Sequence, residues 1–302
     1  MDIAITGSSG FIGNAVVNAL EARGDRVIRL VRTVAFGRSD AIGWDPNTGD
    51  IDSSGLAGVD AVIHLCGEPI ANKRWSPAHK VRVRESRTVS TLLLAETLAA
   101  LDRPPSTLVS SSAIGYYGTD TGDAWMDEND PPGAGFLAEL CAAWEAATRP
   151  AERAGVRVVH ARTGLVLGRE GGLLPRVLAV FKGGLGGRIA SGEQFWSWIT
   201  LADEVGAILH LLDSADVSGP VNMCAPAPVT NREFTKTLAA ELHRPAFLPV
   251  PAAGLKLVFG SEMATEMFTS GIRARPRVLV ESGYDFADPE LAAALEGLLT
   301  PS

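Results

Sequence analysis

Along the first half of the chain the apolar positions alternate between two patterns. Short apolar runs at residues 2–6, 27–31, 61–65 (AVIHL), 107–110 (TLVS) and 156–161 (VRVVHA) predict buried strands. Between them the spacing turns helical: Phe11, Ile12, Ala15, Val16, Ala19 and Leu20 mark one face of a helix over 11–23, which Gly24 ends. Further helices are predicted over 77–101 and 137–154. Strand alternating with helix predicts a parallel sheet covered on both faces, the α/β doubly wound arrangement.

Past Gly164 the pattern loosens into glycine-rich turns around a helix at 174–181 and a strand near 220–223. Thr230 with Glu233 three residues on predicts a capping box, and Asp288 with Pro289 predicts another helix start. With no flexible linker or repeat, the expected organisation is a Rossmann-type domain mainly from 1–165. A smaller C-terminal α/β lobe, mainly 166–302, is expected to be interleaved with it.

The first strand runs into GSSGFIG. Gly7 permits a tight turn, Gly10 lets backbone approach a pyrophosphate at the helix N-terminus, and Gly13 lets the helix sit close to the sheet. The stretch follows a strand, opens a helix and lies in a βαβ unit, so a dinucleotide is the expected ligand rather than a tight turn with none. The second strand ends in Arg29-Leu30-Val31-Arg32 rather than in an acidic residue. An acidic side chain there would accept the ribose hydroxyls of NAD, whereas Arg32 suits a 2′-phosphate, so NADP(H) is expected.

Composition narrows the partners. A net charge of −8 argues against nucleic acid or an anionic membrane as a general partner. No apolar run reaches the ~20 residues that span a bilayer, and the N-terminus lacks a signal-peptide pattern. Cys66, Cys141 and Cys224 form no CxxC, and the five histidines show no ligand spacing, so no metal is expected. These features predict a cytoplasmic monomer or homodimer. The acidic run DENDP (127–131) reads as a solvated loop.

GSSGFIG, HLCGE (64–68), SSSAIGYYG (110–118), ARTGLVLG (161–168) and WITLADEV (198–205) together resemble the extended short-chain dehydrogenase/reductases, the group that includes sugar-nucleotide epimerases. GEPIANKRWS, SGEQFWSWI and the tail FGSEMATEMFTSGIRARPRVLVESGYDF are similar to its atypical epimerase-like branch, whose C-terminal segment, about 248–298 here, forms a small domain. The resemblance implies that Gly7, Ser9, Gly10, Phe11, Ile12 and Gly13 hold the pyrophosphate and Arg32 the 2′-phosphate. Leu65, Cys66 and Gly67 would lie along the adenosine and ribose, with Arg87 and Val166 as further contacts.

The family's proton chemistry rests on a tyrosine and a lysine four residues later. Here the tyrosines are Tyr116, Tyr117 and Tyr284, and the residues four later are Asp120, Thr121 and Asp288, so no YxxxK exists. The corresponding helix offers Phe136 or Leu137 near the tyrosine place and Leu140 or Cys141 near the lysine place. Ser112 matches the family serine that binds a substrate oxygen, with Ser110 and Ser111 as alternates. Tyr116 or Tyr117 is the candidate replacement for the proton donor. Gln194 and Trp196 are candidates to wall a substrate pocket, and Arg162 is either a pocket charge or half of an ion pair. Two functions fit: an NADP(H)-dependent oxidoreductase or epimerase-like enzyme on a small polar substrate, or a non-catalytic NADP(H) binder with a sensing, regulatory or assembly role.

Overall fold

The computed structural model describes residues 1–32, 40–119 and 121–300. An eight-stranded sheet forms its centre, from β1 (Asp2–Thr6), β2 (Arg26–Val31), β3 (Ala41–Asp45), β4 (Asp50–Ile51), β5 (Ala61–His64), β6 (Thr107–Ala113), β7 (Arg157–Thr163) and β8 (Gly219–Met223). The spatial order is β8-β7-β6-β5-β1-β2-β3-β4, and every pairing is parallel except that of β3 with β4. The strand order reverses at β1, the position where doubly wound sheets bind ligands at their carboxyl ends.

Period-two alternation fills both faces. Ile3 and Ile5 of β1 join Ile63 and Val109 under α1 (Phe11–Arg23), while Ala4 turns to the opposite face with Val62 and Leu108, beneath Leu94 and Leu98. The latter two belong to α2 (Pro77–Ala99), whose start is set by Ser76, accepting from the His79 amide, and by Pro77. Gly24 ends α1 in the left-handed conformation at φ +89°.

The predicted helix over 137–154 is two helices, α3 (Phe136–Ala146) and α4 (Arg149–Arg153). Pro150 cannot donate into a continuous helix, and the chain breaks just before it. The sixth and seventh strands run past their apolar cores to Ala113 and Thr163, carrying polar residues to the carboxyl edge of the sheet.

After β7 the chain leaves for the smaller lobe through α5 (Leu174–Lys182), returns as α6 (Leu201–Asp213) against α1, and then inserts β8 at the sheet edge. The lobe has its own core of Trp198, Phe234, Leu238 and Leu295. Thr230 and Glu233 form the expected capping box on α7 (Asn231–Glu241). Asp288 does not cap a helix, however: the last helix runs Leu291–Leu299. The amides of Ala287 and Asp288 instead donate to the Asp203 carboxylate at 2.8 and 2.9 Å, pinning the tail to α6.

DENDP also departs from its reading as a solvated loop. Glu128 is 5% exposed and accepts from the Asn222 and Val278 amides, and Asp127 pairs with Arg275 at 2.7 Å. Two carboxylates thus tie β8 and the C-terminal segment together. Among the described residues no helix is long and apolar enough to cross a membrane.

Candidate functional site

Gly7 sits at φ +69°, and a Cβ there would lie 2.8 Å from the Leu65 carbonyl group. At Gly13 a Cβ would come within 2.1 Å of the Gly7 carbonyl oxygen, so no side chain fits. Gly10 caps α1 without a side chain, and a Cβ there would meet only the Gly7 oxygen, at 3.2 Å, leaving the space above it open. The first turn of α1 holds no acidic residue. An open backbone surface at an unneutralised helix N-terminus suits a pyrophosphate.

Ser9 is exposed beside this turn, while Phe11 and Ile12 pack on the core. The Phe11 ring is caged: Cβ atoms at Gly168 and Gly171 would fall 2.4 and 2.3 Å from it. The loop beyond β7 therefore lies directly over the start of α1. Val166 is in that segment, its carbonyl accepting from the Leu173 amide at 3.0 Å. Arg32 stands exposed at the end of β2.

On the other side of β1, Leu65 donates its amide to the Thr6 hydroxyl. Burial works against ionising the Cys66 thiol, but the neighbouring His64 ring and hydrogen bonds with Ser90 and Thr6 outweigh it and bring the thiol down to about 7. Gly67 backs onto Arg87, whose guanidinium lies 3.1 Å from where a Cβ would stand. Arg87 donates to the Glu68 and Val83 carbonyls and lies over the Trp144 ring at 5.0 Å.

A cleft of about 290 Å³ opens at the carboxyl ends of β6 and β7. Arg87 and Trp144 form one wall, Leu137 and Cys141 of α3 another, and Trp196 a third. The C-terminal segment closes it with Glu266, Met267 and Ile272. The Glu266 carboxylate accepts from the Phe136 and Leu137 amides, both at 2.9 Å, and so caps α3 from the other lobe. Of the residues expected near the places of the missing pair, Leu137, Leu140 and Cys141 line the cleft and Phe136 does not. Burial pushes the Cys141 thiol up to about 12.

The expected catalytic residues lie together, but not on the cleft wall. Ser112 donates its hydroxyl to Glu145 at 2.7 Å. Arg162 grips the same carboxylate through Nε and Nη2, at 2.8 and 2.9 Å. Its Nη1 donates to the Tyr117 oxygen at 3.0 Å, and Tyr117 donates onward to Asn222 at 2.8 Å. Tyr116 lies under the same guanidinium, 3.5 Å from its carbon. Burial pushes the Tyr117 phenol well above its usual range, although Arg162 and Asn222 act the other way. Arg162 is thus half of a buried ion pair.

Ser112, Tyr116 and Tyr117 belong to this closed network, in which the hydroxyls of Ser112 and Tyr117 are committed to protein acceptors. Glu145 is its hub, and no sequence motif marked it. Gln194 is a strut, donating to the Ile189 and Phe268 carbonyls, whereas Trp196 does line the cleft, packed on Phe234.

The model of the NAD dependent epimerase/dehydratase family matches residues 3–224, and a domain of unknown function, DUF1731, matches 250–298. The chain is 46% identical over 293 residues to an epimerase family protein of Mycobacterium bovis, covering 97% of this chain and 96% of that one. It is 38% identical to the human epimerase family protein SDR39U1, covering 99% and 100%. The crystal structure of that human protein (isoform 2) with NADPH superposes with a TM-score of 0.90 at 37% identity, over 99% of both chains.

Proposed function

The chain belongs to the NAD dependent epimerase/dehydratase family, in its atypical extended short-chain dehydrogenase/reductase branch, and from that premise we propose an NADP(H)-dependent oxidoreductase acting on a small carbonyl compound. The observation that carries the cofactor is the turn at Gly7, Gly10 and Gly13, open above Gly10 and free of acidic residues at the start of α1. The human relative crystallised with NADPH supports it. When bound, NADPH supplies hydride.

In this reading the α1 N-terminus and the amides of the Gly7–Gly13 turn hold the pyrophosphate, and Arg32 selects the 2′-phosphate. Leu65, Cys66, Gly67 and Val166 line the nucleotide, and Arg87 places a positive charge between it and the cleft. Leu137, Trp144 and Trp196 exclude water from the substrate. The Ser112–Glu145–Arg162–Tyr117 network positions the floor of the cleft rather than moving protons.

That closed network also favours a second reading, a non-catalytic NADP(H) binder, because no YxxxK pair exists and the Ser112 and Tyr117 hydroxyls are engaged. Calorimetric titration with NADPH and NADH tests the cofactor, and 340 nm absorbance against a carbonyl library separates the two readings. Turnover of any carbonyl supports the oxidoreductase. NADPH binding without turnover across the library supports the binder, and equal affinity for the two dinucleotides removes the role given to Arg32.

A further inference from the structure

We propose that the cleft takes a compact, apolar, conjugated carbonyl compound of quinone type rather than a nucleotide sugar; this rests on the NADP(H) oxidoreductase reading and names its substrate class. Three observations converge on it. The first is size: at about 290 Å³ the cleft lies at the lower edge of small-molecule sites, roughly 300–1,000 Å³.

The second is lining. Trp144, Trp196, Leu137 and Ile272 present flat and branched apolar surface. A diphosphate needs several charge-assisted donors, as Arg and backbone amides provide elsewhere. Among the described residues the one cation on the wall is Arg87, which already gives Nη1 to two carbonyls, and the Glu266 carboxylate on the facing wall repels phosphate.

The third is the set of available protons. A saturated ketone becomes a localised alkoxide on hydride addition and needs a donor beside it. Leu137 has none, and the Cys141 thiol on the same wall is only a weak hydrogen-bond donor. Thr163 donates to Glu204 at 2.8 Å and Ser197 to the Ile272 carbonyl at 2.7 Å. A conjugated acceptor avoids the requirement. It gains one hydride from the dinucleotide, which is oxidised to NADP⁺, and the delocalised oxyanion takes its single proton from water.

The test uses the full chain, with and without NADP⁺, which cannot reduce the ligand during the titration, titrated calorimetrically with 1,4-naphthoquinone and with UDP-glucose. Naphthoquinone should bind the NADP⁺-loaded chain and UDP-glucose should not. Leu137→Glu and Met267→Glu, one on each lobe, should each weaken naphthoquinone about tenfold or more and leave NADPH affinity within about twofold. Using two variants guards against one failing to fold, which circular dichroism and retained NADPH binding detect. UDP-glucose binding in place of naphthoquinone, binding of neither, or naphthoquinone affinity unchanged in both folded variants overturns the assignment. If naphthoquinone binds and NADPH does not, the cofactor reading falls while the ligand class stands.

Discussion

Replacing Glu145 by Gln should destabilise the protein far more than removing the whole ion pair. The Arg162 side chain is 3% exposed and that of Glu145 is 11% exposed, and two hydrogen bonds of 2.8 and 2.9 Å join them. Burial alone would lower the Arg162 pKa, but Glu145 outweighs it and keeps the guanidinium charged. An amide at 145 keeps the shape and removes the countercharge, leaving a guanidinium stranded away from water. Breaking a buried pair in this way costs about 3–5 kcal/mol. At about 2–3 °C per kcal/mol for a chain of this size, the melting temperature should fall by roughly 6–15 °C. The double variant Glu145→Leu/Arg162→Met removes both charges and should recover most of the loss, ending within about 2 kcal/mol of the parent. Urea denaturation of the parent, Glu145→Gln, Glu145→Leu, Arg162→Met and the double variant gives the full cycle. A Glu145→Gln cost below about 1 kcal/mol, or a double variant as unstable as the single one, would refute the buried-pair account.

Arg32→Ala should cost about tenfold or more in NADPH affinity and leave NADH nearly unchanged, as read by calorimetry. Gly10→Val should abolish NADPH binding while circular dichroism stays native, since only one atom crowds its Cβ position; binding retained in a folded variant would make the turn purely structural. Glu204 is 1% exposed, and burial pushes its carboxyl up to about 8, against the donation from Thr163. The folded state then holds a proton that the unfolded state loses near 4.5, so stability should fall as pH rises from about 4.5 to 8, by a few kcal/mol. Glu204→Gln should flatten that slope; an unchanged slope in chemical denaturation at stepped pH sinks the assignment. The acidified Cys66 thiol should be alkylated by iodoacetamide faster than Cys141 and Cys224, with NADPH protecting it. Labelling sites mapped by mass spectrometry check this.

The sheet and the glycine turn were legible because their signals are local. Alternation in Ile3, Ala4 and Ile5 reports burial on both faces, and the spacing of Gly7, Gly10 and Gly13 reports close backbone approach. The network around Glu145 was not legible. Its partners come from β6, β7, β8 and the turn after β6, and a single glutamate near the end of a mostly apolar helix has no period or motif to announce it. Asp127 and Glu128 misled for the same reason: a run of acids beside proline normally faces water, and the partners that hold these two, Arg275, Arg277 and the Asn222 and Val278 amides, are distant in sequence. The missing acid/base pair was legible as an absence, and of the residues near its places Leu137, Leu140 and Cys141 lie on the cleft wall.

The Glu266 cap has a kinetic consequence. Its carboxylate belongs to the segment that closes the cleft, and its two bonds are to the first amides of the helix that forms the opposite wall. Any movement that widens the mouth between these walls must take the carboxylate off both amides together. Two hydrogen bonds to a charged group amount to about 3–6 kcal/mol, so an open form would hold roughly one molecule in a hundred or fewer. Ligand exchange then proceeds through a rare, all-or-none opening. Entry and exit should both be slow for a site this small, and Glu266→Gln should accelerate them together while leaving the equilibrium constant nearly where it was.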